Sequence, residues 1–549
     1  MVGDSTSATR DQNWFFTGQF EDNSTIAVDR GGGTSPASVA WQVIEFEDGV
    51  NVQRGISSMQ AGTLTKNITL PTAVVDTTKG VPIVQTRGAF TTTSQTHELF
   101  LLPSFTDSTT LKLDRLDSTG TKATSVVWQV IEFLTDATIQ TGTATLPVPG
   151  VAATNQSVTA TVSSLSSTGA NALLFTYFVG DTGVNGIDAT LYTRGTVTDG
   201  TTLTFTRGNA PTTTLTAVTV RYYVVDLTDG TSLTQKGTQS WTTTTPARVA
   251  ITSSTDATPI VVTSAAHGLA VGDRIDIAGH STATPVNASW IVGTVPTSTT
   301  FSLSGSTAHG LGAGSGGNLV PALKATVTSV DPTRAVVLRT SSSATTGTTN
   351  SYADDLSLMG EVLNATTFNS LRAASATTTI PADVQYFVTE FPPLTLTSPN
   401  GGELWKVGEV RNITWKHAQS LTTGGTGVGG KHLGKLELSR TSGSTYLTTS
   451  ITSGIDLTLD TYAWTIPATI DTLDLDIATL RVKITDTDMS VRNSDASHAD
   501  FTIKGTLTVT SPNTGVAWFV GDACPGVDCR TVTWNRTGNL DDNGTVTLK

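Results

Sequence analysis

Seven histidines, 45 carboxylates and two cysteines are the residues of this 549-residue chain with chemistry to offer, and their spacing decides which kind. The histidines, at 97, 267, 280, 309, 417, 432 and 498, form no H-E-x-x-H pair and no metal-binding helix spacing. No phosphate-cradling G-x-x-x-x-G-K-[ST] loop and no G-x-S-x-G nucleophile elbow occurs. Asp and Glu are abundant, yet nothing singles out a pair for general acid and base work on a glycoside. The expectation is a non-catalytic protein without an organic cofactor.

Some acids are spaced for calcium, a hard cation that takes several oxygens: Asp474 and Asp476, which share a strand face by parity, and Asp486 with Asp488. Asp471, Asp354 and Asp355 lie in similar clusters, and plain solvated acids are the alternative for all of them. Cys524 and Cys529 are too few for a zinc site; they are either a local disulfide staple or two free thiols. Eight N-x-[ST] sequons, at Asn23, Asn67, Asn155, Asn287, Asn364, Asn412, Asn535 and Asn543, are glycosylation candidates, although a Thr-rich chain produces such triplets by chance.

Composition narrows the partners. A net charge of −13 with only 32 Lys and Arg leaves no basic stripe for nucleic acid or for an anionic membrane. No apolar run approaches the roughly 20 residues of a spanning helix. Met1 to Arg10 lacks the charged and apolar regions of a signal peptide, so export uses another route or the chain is a mature or cut-out piece. Charged residues are 14%, about a fifth of the chain is Thr, and Gly numbers 51, a composition that favours strands and turns. The expected fold class is all-β.

The elements that must position these residues are repeats. Trp41-Gln42-Val43-Ile44-Glu45-Phe46 returns letter for letter as Trp128 to Phe133, 128 − 41 = 87 residues later, and more loosely as Tyr222 to Leu227 and Tyr386 to Phe391. Ahead of each copy runs an alternating strand ending in Arg30, Arg115, Arg207 or Arg372. We call this pair of strands the A half. A B half follows, marked by Gln53-Arg54-Gly55, Gln140-Thr141-Gly142 and Gln235-Lys236-Gly237, then by Val75-Asp76 or Val330-Asp331 before an apolar strand. The recurring acids Glu45, Glu132, Asp226 and Glu390 and the recurring arginines read as separate structural residues at a sandwich rim.

Four A halves face three B halves, so one A half is unpaired however the chain is divided. Domains running B then A end cleanly at Phe391, before Pro392-Pro393, and leave the first A half over. That order divides the chain into an unpaired half at 1–46, β-sandwich repeats at 47–133 and 134–227, and a third repeat at 228–249 plus 321–391. Residues 250–320 are an insertion, 394–504 a further domain, and 506–549 a partial copy of that domain.

Two resemblances bear on this division. The insertion carries His267-Gly268-Leu269, Gly272-Asp273 and Thr300-Phe301-Ser302-Leu303, and resembles small β-barrel modules of phage tail and virion proteins; His267 then holds a structural turn. Leu394 to Trp405, Val407-Gly408, Ile413-Thr414-Trp415 and Tyr462 to Pro467 resemble the Ser/Thr-rich immunoglobulin-like domains of secreted bacterial and fungal surface proteins. That resemblance implies a β-sandwich spacer and an extracellular or cell-surface location. The partial copy repeats Leu507 to Asn513, Trp518 and Trp534, with Cys524 and Cys529 in extra residues.

The overall expectation is an array of immunoglobulin-like tandem sandwiches strung like beads, with one small inserted barrel. Half a sandwich cannot close its core. The sequence is therefore either a window on a longer array or completed by strands from a neighbouring subunit. The corresponding function is a structural protein of a surface layer, matrix or filament that self-associates. A virion fibre, or a glycan-binding adhesin using Trp14, Trp241 or Trp290, are the alternatives.

Overall fold

A computed structural model describes residues 2–3, 15–31, 37–46, 50–88, 98–116, 123–135, 137–148, 156–180, 191–208, 217–228, 232–242, 244–328, 330–343, 358–372, 381–391, 393–417, 419–471, 473–475, 477–488, 493–513 and 532–537. Strands dominate them, with short 3₁₀ turns between, so the chain is all-β. It divides into two units, Met1–Glu390 and Phe391–Lys549.

In the first unit the same six-strand plan is built three times. Val50–Met59, Thr124–Phe133 and Gly80–Arg87 form one antiparallel sheet with the aromatic strand in the centre, and Thr65–Thr69, Thr110–Asp114 and Leu102–Asp107 form the other. Ala137–Leu146, Val218–Leu227 and Ala172–Gly180 repeat the first sheet, and Gln156–Thr161, Thr202–Arg207 and Thr193–Val197 the second. Leu233–Trp241, Ala382–Glu390 and Ala335–Ser343 do so again, with Leu323–Thr326, Thr367–Leu371 and Met359–Asn364 opposite. The alternating side chains of both sheets meet between them. In the first repeat Leu111, Leu113, Val126, Trp128 and Val130 fill that space.

The recurring letters have local physical roles. Gly55, Gly142 and Gly237 lie directly across from Trp128, Tyr222 and Tyr386. Each aromatic side chain lies over its glycine so closely that a Cβ there would meet it at 2.6, 2.4 and 2.4 Å. Two residues earlier, a glutamine amide clamps the backbone of the following segment. Gln140 accepts from Ser163 N–H and donates to Ser163 C=O, Gln235 does the same at Thr328, and Gln53 accepts from Thr72 N–H. These bonds tie the end of one sheet to the start of the next.

The acid of the aromatic strand receives the backbone where the chain re-enters the central sheet. Glu132 accepts from Asp76 N–H, Asp226 from Ser166 N–H and hydroxyl, and Glu390 from Asp331 N–H. The arginine is separate from the acid, as expected, and Arg115, Arg207 and Arg372 are buried rather than exposed at a rim. Arg115 is buried against Glu98 at 3.4 Å, and Arg372 lies 4.9 Å from the Trp241 ring centre. Arg207 is buried with bonds to Gln156 and the Pro147 carbonyl, and burial lowers its pKa to about 10. Glu132 and Asp226 are equally buried. A charge carried inside a sandwich needs fixed partners, and these contacts supply them.

The repeats of this unit are packed together more tightly than separate beads. Tyr177 and Tyr223 of the second donate to the Pro82 and Pro103 carbonyls of the first, and the Phe178 ring lies tilted against Phe100 with centres 4.8 Å apart. Lys236 of the third reaches the Gly169 carbonyl of the second at 2.9 Å, and Thr340 exchanges bonds with the backbone of Gly195. From Val249–Ser254 to Asn318–Pro321 the chain forms a barrel-like sheet around Ile251, Val262, Ile275, Ile277, Phe301 and Leu319. Its turn at His267 is built as expected: His267 Nδ1 accepts the Leu269 N–H at 3.0 Å.

In the second unit, Leu394–Ser398, Val410–His417 and Thr461–Thr465 form one sheet, and Thr452–Asp456, Leu433–Ser439, Arg481–Asp486 and Ser494–Ala496 the other. Trp405, Trp415, Trp464 and Phe501 are packed between them. Beyond this sandwich, Thr506–Ser511 pairs with Thr533–Thr537.

Candidate functional site

Asp486 and Asp488 meet a residue the sequence did not group with them, His432, and the three place ligand atoms within 4.8 Å of one another. Their contacts account for their positions. His432 Nδ1 lies 2.7 Å from Asp486, which also accepts from Asn493 Nδ2 and from the Asp488 N–H. Asp488 accepts from Thr426 N–H and hydroxyl and from Leu433 N–H, bonds that hold its carboxyl below the usual range. The carboxylate oxygens thus face hydrogen-bond donors of the protein, and the cluster ties the 424–433 loop to the end of strand Arg481–Asp486. Asp474 belongs to the short strand pair Thr469–Ile470 with Leu473–Asp474, apart from this cluster in the fold, and Asp476 lies outside the described residues.

The other histidines among the described residues are similarly engaged. His280 is sealed in the barrel between Ser254 Oγ at 2.8 Å and the Gly316 carbonyl at 2.6 Å. A serine and histidine so buried give no substrate a path to them. His309 Nδ1 receives Leu311 N–H in a second His-Gly-Leu turn, and His417 pairs with Asp460. Of the aromatic candidates, Trp241 is buried and donates to Ser370, while Trp290 packs on the barrel core and donates to Val286; Trp14 lies outside the described residues.

Among the sequons, Asn23, Asn67, Asn412 and Asn535 are exposed. Asn364 is exposed but its carbonyl holds the turn at Thr366, and both amide atoms of Asn287 bond to the His280 backbone. Asn155, Asn543, Cys524 and Cys529 lie outside the described residues.

The surface that departs from the repeat plan is the first A half. Its hairpin, Phe16–Phe20 with Ile26–Arg30, matches the hairpins Leu102–Asp107/Thr110–Asp114 and Thr193–Val197/Thr202–Arg207. Its aromatic segment, residues 39–46, carries no strand assignment. Trp41 is 65% exposed where its twin Trp128 is 4%, Val43 is 47% where Val130 is 0%, and Val28 is 42% where Leu113 is 0%. Burying each such side chain is worth about 1.5–3 kcal/mol. Half a core is therefore presented to solvent.

A few contacts position this segment. Gln42 accepts from Val337 N–H and donates to the Ala335 carbonyl on the open edge of strand Ala335–Ser343, and Phe46 meets Phe133 edge-on at 6.1 Å. The hairpin is held to the first repeat by Gln85, which accepts from Gly18 N–H, and by Arg54 over the Phe20 ring. Beside Trp41 and Gln42 opens a cleft of about 570 Å³, walled by Met359 and by Arg274 in a two-bond ion pair with Glu361. This surface presents the apolar side chains of Trp41, Val43 and Ile44 to solvent.

A similar exposure occurs in the second unit. Leu507, Val509 and Trp534 are exposed, although the matching Leu394, Leu396 and Trp415 are buried. No protein-family model matches the chain, and no curated protein matches its sequence.

Proposed function

We propose that this protein is a non-catalytic structural subunit of an extracellular or cell-surface assembly, a layer, matrix or filament, built from β-sandwich repeats and joined through strand complementation. The observation that carries this reading is the half-core around Trp41, whose identical twin at Trp128 is a fully packed central strand. The recurring residues support it: the glycines seat aromatic side chains, the glutamines clamp backbone, and the acids receive turns. All are scaffold roles. The acidic, Thr-rich composition and the resemblance of residues 394–503 to surface domains favour a location outside the cell.

Electron microscopy of native material labelled with an antibody to this chain tests the reading, with a lattice or fibre on the cell surface as the expected result. Label confined to particles with capsids favours the second reading, a virion fibre, to which the inserted barrel lends weight. Label spread through the cell interior, with no ordered array, sinks both.

A further inference from the structure

We propose that the cleft beside Trp41 binds a neutral saccharide, with the Trp41 indole against the apolar face of a sugar ring and the Arg274–Glu361 pair on its hydroxyls. The cleft is formed within one chain, so this site goes beyond the assembly reading and does not depend on it.

Three parts of the first unit converge there: the first A half through Trp41 and Gln42, the inserted barrel through Arg274 and Ser289, and the third repeat through Glu361 and its neighbours. Junctions of this kind are favoured places for small-ligand sites, and the volume of about 570 Å³ lies within their usual range of about 300–1,000 Å³. The walls are fixed before any ligand arrives. The Gln42 amide bonds in both directions to the backbone at Ala335 and Val337, and Ser38 Oγ accepts the Ser289 N–H at 3.1 Å, which ties the A half to the barrel. Arg274 Nε and Nη2 each donate to a Glu361 carboxylate oxygen at 2.7 Å, which ties the barrel to the third repeat. A cleft preorganised in this way loses little entropy when it closes on a ligand.

Charge selects the chemistry of that ligand. Among the described residues lining the cleft only Arg274 and Glu361 are charged, and the two cancel. An anion would be repelled by Glu361 and a cation by Arg274. Their two mutual bonds do not exhaust the pair. Three N–H donors of the Arg274 guanidinium have no partner among the described residues, and each Glu361 oxygen keeps a lone-pair site. Donors and acceptors held side by side match neighbouring hydroxyls, each of which both donates and accepts.

Trp41 supplies the apolar element. A pyranose ring has a C–H face on one side and hydroxyls around its rim, so an exposed indole next to a neutral ion pair meets both parts of it. Trp241 and Trp290, which sequence alone offered as glycan ligands, are packed on hydrophobic cores instead.

The test applies the labelled 549-residue chain to an array of neutral, sialylated and sulfated glycans, then titrates it with the neutral oligosaccharide that binds most strongly, using calorimetry. Saturable binding selective for neutral glycans is expected, weakened roughly tenfold by Trp41→Ala and by Glu361→Gln and largely kept by Trp41→Phe. Trp534→Ala, at an exposed tryptophan of the second unit, is expected to change nothing. Replacing the exposed Trp41 leaves the packed cores in place, and circular dichroism checks each variant. Absence of binding to every neutral glycan overturns the proposal, as does a preference for the sialylated or sulfated ones. Binding that survives Trp41→Ala, or that falls with Trp534→Ala instead, puts the sugar elsewhere and overturns it too.

Discussion

The pairing of Trp128, Tyr222 and Tyr386 with glycines exchanges one constraint for another. Glycine in a strand interior weakens it, since it brings no side chain and a large loss of chain entropy. A large aromatic lying over the gap returns apolar burial to that spot, and Phe205 stacked on Tyr222 and Phe368 on Tyr386 continue the packing inward. The site then tolerates nothing larger. Gly142→Val should destabilise the 134–227 repeat by about 1–3 kcal/mol through forced displacement of Tyr222. Hydrogen exchange should show the loss as faster opening of the Ala137–Leu146 amides, with the third repeat unchanged. At this scale much was legible: Gln-x-Gly and the aromatic position both stood out as recurring letters. That they face one another was not, because the pairs lie 73, 80 and 149 residues apart in sequence (128 − 55, 222 − 142, 386 − 237) and only register brings them together.

The A-half hairpins turn on a shared device that lies two residues ahead of the recurring line seen in the sequence. Asp22 accepts from Ser24, Asp107 from Thr109, and Asp199 from Thr201, each through backbone N–H and hydroxyl. Asn364 does the same for Thr366. This is the Asx turn, in which a short side chain substitutes for backbone. Bonds from Ser24, Thr109 and Thr201 hold the three aspartates below the usual carboxylate range. A pKa lowered by folding contributes stability that is full above the unfolded value and lost as pH falls through the folded one. Acidification below about pH 4 should therefore loosen the turns at Asp22, Asp107 and Asp199 and spare the one at Asn364, which carries no proton to gain. Exchange rates at Thr109 and Thr366 provide the comparison, and equal loosening of both would count against this account. The second repeat, which has no counterpart of the Val75-Asp76 and Val330-Asp331 pairs, does the same job by another route. Ser166 offers both N–H and hydroxyl to Asp226, where the other repeats offer the N–H of Asp76 or Asp331.

Across the first unit, tyrosines help set the join between consecutive repeats. Burial pushes the Tyr223 hydroxyl up to about 12 and raises that of Tyr177 as well, and both donate to carbonyls of the first repeat. Because folding raises these pKa values, their contribution is intact below pH about 10 and is lost as pH climbs from there through the folded values. Alkaline unfolding should begin in that window. Tyr223→Phe should cost about 1 kcal/mol at neutral pH and flatten the alkaline limb of a urea-midpoint profile. None of this packing was visible in the sequence, where Tyr177 sits in a strand like any other. The division into six-strand groups was far more legible, since each ends on the aromatic strand that recurs in the letters. Identical letters still did not determine structure: Trp128–Phe133 is a central strand paired on both edges, whereas Trp41–Phe46 carries no strand assignment. The cluster at His432 escaped notice for a related reason, its members being separated by 486 − 432 = 54 residues. One further property follows from the inserted barrel. Its first and last strands begin and end side by side, with Val249 across from Leu319 and Ala250 across from Asn318. The chain therefore leaves and re-enters the host repeat at one place, where Arg274–Glu361 and Asp273–Lys324 hold the insert to its host. An insert whose two ends lie side by side interrupts the host repeat without separating the strands on either side of it.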